Sequence, residues 1–168
     1  MTETASTTGT IATRNSERSS LLALGWTTML LAALHLADHA LRGDRVHDRG
    51  LNPAWDHSGW PFEPEVTPYT FSLIAVVLIL GLGLLGTYRS KLWAGYWLAA
   101  AIVLGAIVTV VHFLPTAHQE SPSVIYKSWQ GLDLLGALAV ANTFAIVVAL
   151  LLMAVNAIRV GRRTGRWR

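Results

Sequence analysis

The sequence contains no cysteine and few charged residues. Without cysteine the 168-residue chain forms no disulfides, thiolate metal sites or iron–sulfur clusters. Charged residues make up 14% of the chain, against roughly 25% in a soluble domain. Hydrophobic residues make up 52%, and the mean hydropathy is +0.43. This composition excludes an ordinary soluble domain and predicts an integral membrane protein.

Four long apolar runs account for the composition, and each approaches the ~20 residues that a helix needs to cross a bilayer. We therefore predict an all-α fold, an integral membrane four-helix bundle that contacts the lipid bilayer. Residues 1–20, rich in Ser and Thr, predict a disordered cytoplasmic leader. The bundle occupies 21–158, a basic cytoplasmic tail occupies 159–168, and the spans are predicted at about 21–41, 69–88, 92–114 and 132–158.

The connection between the first two spans, residues 42–68, is the longest and is rich in polar residues. It also contains Trp55, Trp60 and Phe62, and aromatic residues are typical of a membrane surface. We interpret it as a long extracytoplasmic first loop that caps the bundle.

The Lys and Arg residues are distributed unequally between the predicted connections. Nine of the 13 lie in the leader, the second connection and the tail, which places both termini in the cytoplasm of a multi-pass protein of the cell inner or plasma membrane. All six histidines then lie on or near the extracytoplasmic side. An isoelectric point of about 9.7 is compatible with nucleic-acid binding. The basic residues gather at membrane ends, however, where anionic lipid explains them, so we predict no nucleic-acid partner.

The most informative stretch lies at the end of the first span, where His35, Asp38, His39 and Arg42 follow i, i+3, i+4, i+7 spacing. These side chains project from one helical face. Ionisable groups inside an apolar span are costly, so the default interpretation is a functional site with partners on neighbouring helices.

A metal site is one such function, because two histidines at i, i+4 direct their rings toward one point. His35, Asp38 and His39 are the candidate ligands on the first span, and His112 lies at the matching depth of the third. The candidate ions are Zn, Cu and Fe. Further polar side chains are predicted to orient the ligands; these are Arg42, His118, Glu120 and Asp133.

A b-type haem is the second candidate cofactor. It would take one axial histidine from each of two facing helices, so that His35 or His39 pairs with His112. Arg42 suits a haem propionate better than it suits a bound cation.

The second span contains Gly81, Gly83 and Gly86 in a G-x-G-x-x-G pattern. A dinucleotide site would need a preceding strand and a soluble βαβ unit, which an apolar span excludes. In a membrane helix the same glycines predict close packing against a neighbouring helix.

The leading functional hypothesis is binding of a redox-active metal or haem, for electron transfer or metal handling. In one alternative, His35, Asp38, His39 and Arg42 form only a hydrogen-bonded cluster under the loop. In a second, the chain is a non-catalytic accessory subunit of a larger membrane complex or a homo-oligomer. In a third, it is an interfacial enzyme acting on a lipid or quinone. The sequence alone leaves catalysis open.

Overall fold

The computed structural model describes residues 4–48, 68–89, 94–114, 120–165 and 167. These residues form five helices: α1 (Thr4–Asp48), α2 (Pro68–Tyr88), α3 (Ala94–His112), α4 (Pro122–Ser128) and α5 (Asp133–Thr164). The described part of the chain contains no strand, which confirms the predicted all-helical fold.

Three segments are long and apolar enough to cross a membrane: Asn15–Arg42, Ala94–His112 and Asp133–Thr164. The shortest of them, with 19 residues, is about 28 Å long, close to the ~30 Å thickness of the hydrocarbon core. A shorter apolar stretch, Leu73–Tyr88, lies in α2. The structure therefore supports a multi-pass membrane protein, with these helices near the predicted spans.

α1 is helical from Thr4 and so begins before the first span, which the sequence predicts at about 21–41. The segment from Thr4 to Asp48 contains no proline that would break a helix. Extending a helix that has already formed costs less than starting a new one, because each added residue gains one backbone hydrogen bond. Contacts with α2 and α5 also hold α1 at the end of the predicted leader, near residue 20. Ser20 Oγ accepts a hydrogen bond from Asn156 Nδ2 of α5 at 3.0 Å, and the Arg18 guanidinium donates to the Tyr88 carbonyl of α2.

The predicted basic tail is also partly helical. α5 continues to Thr164 and ends at Gly165, whose φ of 63° is the left-handed conformation that commonly terminates helices. After this turn the Trp167 carbonyl accepts a 3.0 Å hydrogen bond from the Gly95 backbone N–H. The tail therefore returns to the beginning of α3.

One apolar core joins α1, α2, α3 and α5, with Trp97 fully buried within it. The Trp97 ring occupies the space that side chains at Gly25 and Gly83 would need, so these glycines admit its ring. Its indole N–H donates to Thr87 Oγ1 at 2.8 Å, which satisfies the buried nitrogen. Gly83 thus packs as predicted, whereas a Cβ at Gly81 would meet no atom within 4 Å.

A second, smaller apolar cluster joins α4 to α5 through Ile125, Trp129 and Ala139. It holds α4 and the residues around it against the end of the helices where His39 and His112 lie. Within the 42–68 connection the structure describes the residues up to Asp48, as helix, and Pro68, where α2 begins. The predicted aromatic cap lies outside the described residues.

Candidate metal centre

Three histidines from two helices converge at one end of the structure. His35 and His39 lie one turn apart on α1, and His112 is the last residue of α3. Nε2 of His35 lies 3.1 Å from Nε2 of His39 and 3.1 Å from Nε2 of His112. A ligand nitrogen from each ring lies within 4.8 Å of the others. His39 and His112 are buried, with 3% and 4% of their surface exposed.

The ring of His112 is oriented by the backbone after α3. Its Nδ1 lies 2.6 Å from the carbonyl oxygen of Glu120. A carbonyl oxygen only accepts hydrogen bonds, so Nδ1 carries the proton and donates it. In the neutral imidazole Nε2 then presents a lone pair toward His35.

An ionic network lies directly behind the histidines and centres on Arg42, which is 3% exposed. Its Nε donates to Asp38 Oδ2 at 3.1 Å, and its Nη2 donates to Glu120 Oε2 at 2.9 Å. The same Glu120 oxygen lies 3.7 Å from Nε2 of His39. Trp129 Nε1 donates to the other carboxylate oxygen of Asp38 at 2.8 Å. One cation and two carboxylates therefore lie together, with a formal charge of −1.

The structure brings together most of the predicted site residues but changes the role of Asp38. Both Asp38 oxygens are engaged by Arg42 and Trp129, and the converging ligand group contains the three histidines alone. Arg42 and Glu120 lie beside the histidines, as expected for orienting groups.

The other two predicted orienting residues are not part of this arrangement. Asp133 is exposed in the first turn of α5, where a carboxylate suits the positive end of the helix dipole. His118 lies outside the described residues.

Sequence reasoning missed the contact between Trp129 and Asp38. The two residues are 91 positions apart, and nothing in the loop composition distinguishes an indole that bonds a carboxylate from one that lies at the membrane surface. The only available signal was that a buried carboxylate needs donors.

All three histidines line one end of an apolar pocket between α1, α2, α3 and α5. Apart from these rings and Thr28, the lining consists of aliphatic side chains, among them Leu80, Val108 and Leu150. The site therefore has an ionic side at Arg42 and an apolar side toward the interior of the helices.

Comparisons with protein-family models, with curated proteins and with solved structures find no match to this chain. The candidate functions are instead distinguished by the chemistry of the three imidazoles, the ionic network behind them and the apolar pocket in front.

Proposed function

We propose that this chain is a four-span membrane protein that binds a transition metal ion, zinc in the first place, through Nε2 of His35, His39 and His112. The observation that carries the proposal is the convergence of three imidazole nitrogens from two helices. Imidazole is the commonest protein ligand for such ions, and three histidines with one open position form a recurrent zinc site.

The distances fit a tetrahedral ion. Zinc–nitrogen bonds are about 2.0–2.1 Å long, so two nitrogens of a tetrahedral site lie about 3.3 Å apart. The two closest nitrogen pairs here are 3.1 Å apart. These two pairs need a movement of only a few tenths of an ångström. The third pair, from His39 and His112, lies within 4.8 Å and closes by up to about 1.5 Å when the ion binds.

The hydrogen positions give a second argument. The Glu120 carbonyl leaves His112 with a lone pair at Nε2, as described above. The Arg42 guanidinium only donates, so its 3.5 Å contact with Nδ1 of His39 leaves the His39 proton at Nε2. Nε2 of His35 then faces the lone pair of His112 Nε2 on one side and the N–H of His39 Nε2 on the other.

No neutral form of His35 satisfies both of these neighbours. Protonated at Nε2, it opposes the N–H of His39; unprotonated, it opposes the lone pair of His112. A metal ion resolves the conflict by accepting a lone pair from each ring. The His39 proton then moves to Nδ1, so that the ring stays neutral, and the weak contact with Arg42 lengthens.

The donor set favours zinc or copper over haem. Imidazole nitrogens suit Zn, Cu and Fe, and the tetrahedral spacing favours zinc. Two axial haem ligands lie on opposite faces of the iron, about 4 Å apart at bond lengths near 2.0–2.1 Å, with the porphyrin between them. Nε2 of His35 and Nε2 of His112, 3.1 Å apart, leave no room for that ring. With His39 and His112 as the axial pair, Nε2 of His35 would lie 3.1 Å from both ligand nitrogens, in the space that the ring needs.

The ionic network supports cation binding. Arg42 alone would repel a metal ion, but Asp38 and Glu120 reverse the local charge to −1. Glu120 contacts two of the histidines: its carboxylate lies near His39, and its backbone carbonyl orients His112. Such outer partners fix ring orientation and raise ligand basicity.

The proposal includes a membrane orientation. We propose that α2 is the fourth span and that both termini are cytoplasmic, as the Lys and Arg asymmetry favours. The histidines then lie near the extracytoplasmic surface. A reporter fused after Arg168 should be cytoplasmic, and one inserted near Asn52 should be outside. A tail on the outside would contradict this orientation.

Equilibrium dialysis of the purified protein in nanodiscs against Zn²⁺ tests the metal site. We expect one ion per chain in the wild type and a loss of affinity of more than about 100-fold in His35→Ala, His39→Ala and His112→Ala, because outer partners alone contribute 10- to 100-fold. Asp133→Asn, at an exposed carboxylate, is the control and should bind normally. Equal zinc affinity in all four variants would contradict the metal site. The three histidines would then form a hydrogen-bonded cluster that is held together by an extra proton.

A further inference from the structure

The pocket beside the three histidines has the dimensions of a single hydrocarbon chain. On α1 its lining runs from His39 to Thr28, which is about 16 Å at the helical rise per residue. The volume open to the centre of a water molecule is about 80 Å³. Spread over that length, it describes a channel about 2.7 Å in radius to its walls, wide enough for one methylene chain.

The chemistry changes sharply along the channel. One end carries the three imidazoles, and the remainder is lined by aliphatic side chains of α2, α3 and α5, such as Leu80, Val108 and Leu150. A small water-soluble ligand would leave this apolar length unfilled. An amphiphile with one polar end and one chain matches both parts.

The charges indicate the nature of the polar end. A divalent ion on three neutral imidazoles, beside the −1 of Arg42, Asp38 and Glu120, leaves a net charge of +1. Excess charge in an apolar surrounding is costly, so the fourth coordination position favours one monoanionic donor. A carboxylate oxygen supplies that charge and is a common zinc ligand.

We infer that the pocket binds a long-chain fatty acid, with its carboxylate on the metal ion and its chain along the channel toward Thr28. This inference rests on the proposed metal site. The chain leaves lipid for an equally apolar channel, so its burial adds little driving force. The carboxylate–metal bond supplies the affinity, and the channel restricts entry to single-chain ligands.

Cobalt-loaded protein in nanodiscs provides the test, because Co²⁺ takes the place of zinc and its visible absorption changes with its ligands. We expect palmitate to alter the spectrum saturably, whereas hexadecanol, with the same chain but no charge, should not. Acetate, with the same head group but no chain, should require at least about tenfold higher concentration, because it does not concentrate in the membrane.

Two valines on α3 form a matched pair for the chain. Val108 lines the pocket, whereas Val110 is 53% exposed and lies outside its lining. Val108→Phe should lower palmitate affinity by at least about tenfold through overpacking, while Co²⁺ affinity stays within about twofold. Val110→Phe should change neither.

The outcomes separate the two proposals. If Co²⁺ does not bind the wild type, the metal site and the fatty-acid site are both wrong. If Co²⁺ binds but hexadecanol equals palmitate, acetate equals palmitate, or Val108→Phe equals Val110→Phe, only the fatty-acid assignment is overturned.

Discussion

Nε2 of His35 and Nε2 of His112 lie 3.1 Å apart, although the two residues are 77 positions apart in the chain. The contact forms because both residues lie toward the C-terminal ends of their helices, α1 and α3, which run in the same direction. A pair of imidazoles at this distance needs a proton or an ion between the two nitrogens. The remainder of the site is built around that requirement.

Glu120→Gln should weaken metal binding without removing a ligand. The change retains the backbone carbonyl that orients His112 but removes the carboxylate charge that Arg42 and His39 face. We expect zinc affinity, measured by equilibrium dialysis, to fall about 10- to 100-fold. Asp133→Asn neutralises an exposed carboxylate and serves as the control. Equal affinities in these two variants would mean that the ionic network does not act on the ion.

Arg42→Met should destabilise the fold. It leaves Asp38 and Glu120 without their shared cation, and breaking a buried ion pair in this way costs about 3–5 kcal/mol. The free energy of unfolding in detergent, from denaturant titration, measures the loss. Arg159→Met, at an exposed arginine of α5, should change it by less than about 0.5 kcal/mol. A similar small change in both variants would show that the Arg42 network contributes no net stability.

Replacing Gly81 and Gly83 by alanine should change the stability of the protein in opposite directions. A Cβ at Gly83 would lie 2.7 Å from the Tyr96 ring and 2.9 Å from the Trp97 ring, so we expect Gly83→Ala to cost about 1–3 kcal/mol. A Cβ at Gly81 meets nothing within 4 Å, and Gly81→Ala should gain up to about 1 kcal/mol from helix propensity. Thermal unfolding of the two variants compares them. Equal melting temperatures would contradict the close packing at Gly83.

Hydropathy and helical periodicity predicted the features that depend on local sequence. Three of the four apolar runs coincide with helices that are long and apolar enough to cross a membrane. The i, i+4 spacing placed His35 and His39 on one face of α1, and in the structure the Nε2 atoms of the two rings lie 3.1 Å apart. These predictions succeed because a helix fixes the direction of its side chains once its residues are known.

Features that depend on particular tertiary contacts could not be predicted in the same way. Asp38 has the spacing of a metal ligand, but donors from Arg42 and Trp129 occupy both of its oxygens. The helix before Leu21 has a composition typical of disorder, and it is held by contacts with α2 and α5 that periodicity does not reveal. A carboxylate such as Asp38 can serve as a metal ligand or as a hydrogen-bond acceptor, and the side chains packed around it determine which.

X-ray absorption spectroscopy at the zinc edge of the metal-loaded protein tests the central claim most directly. The proposal predicts three imidazole nitrogens at about 2.0–2.1 Å plus one further light-atom ligand, and loss of one imidazole contribution in His112→Ala. A spectrum of hydrated or carboxylate-bound zinc, unchanged by the His112 substitution, would contradict the site.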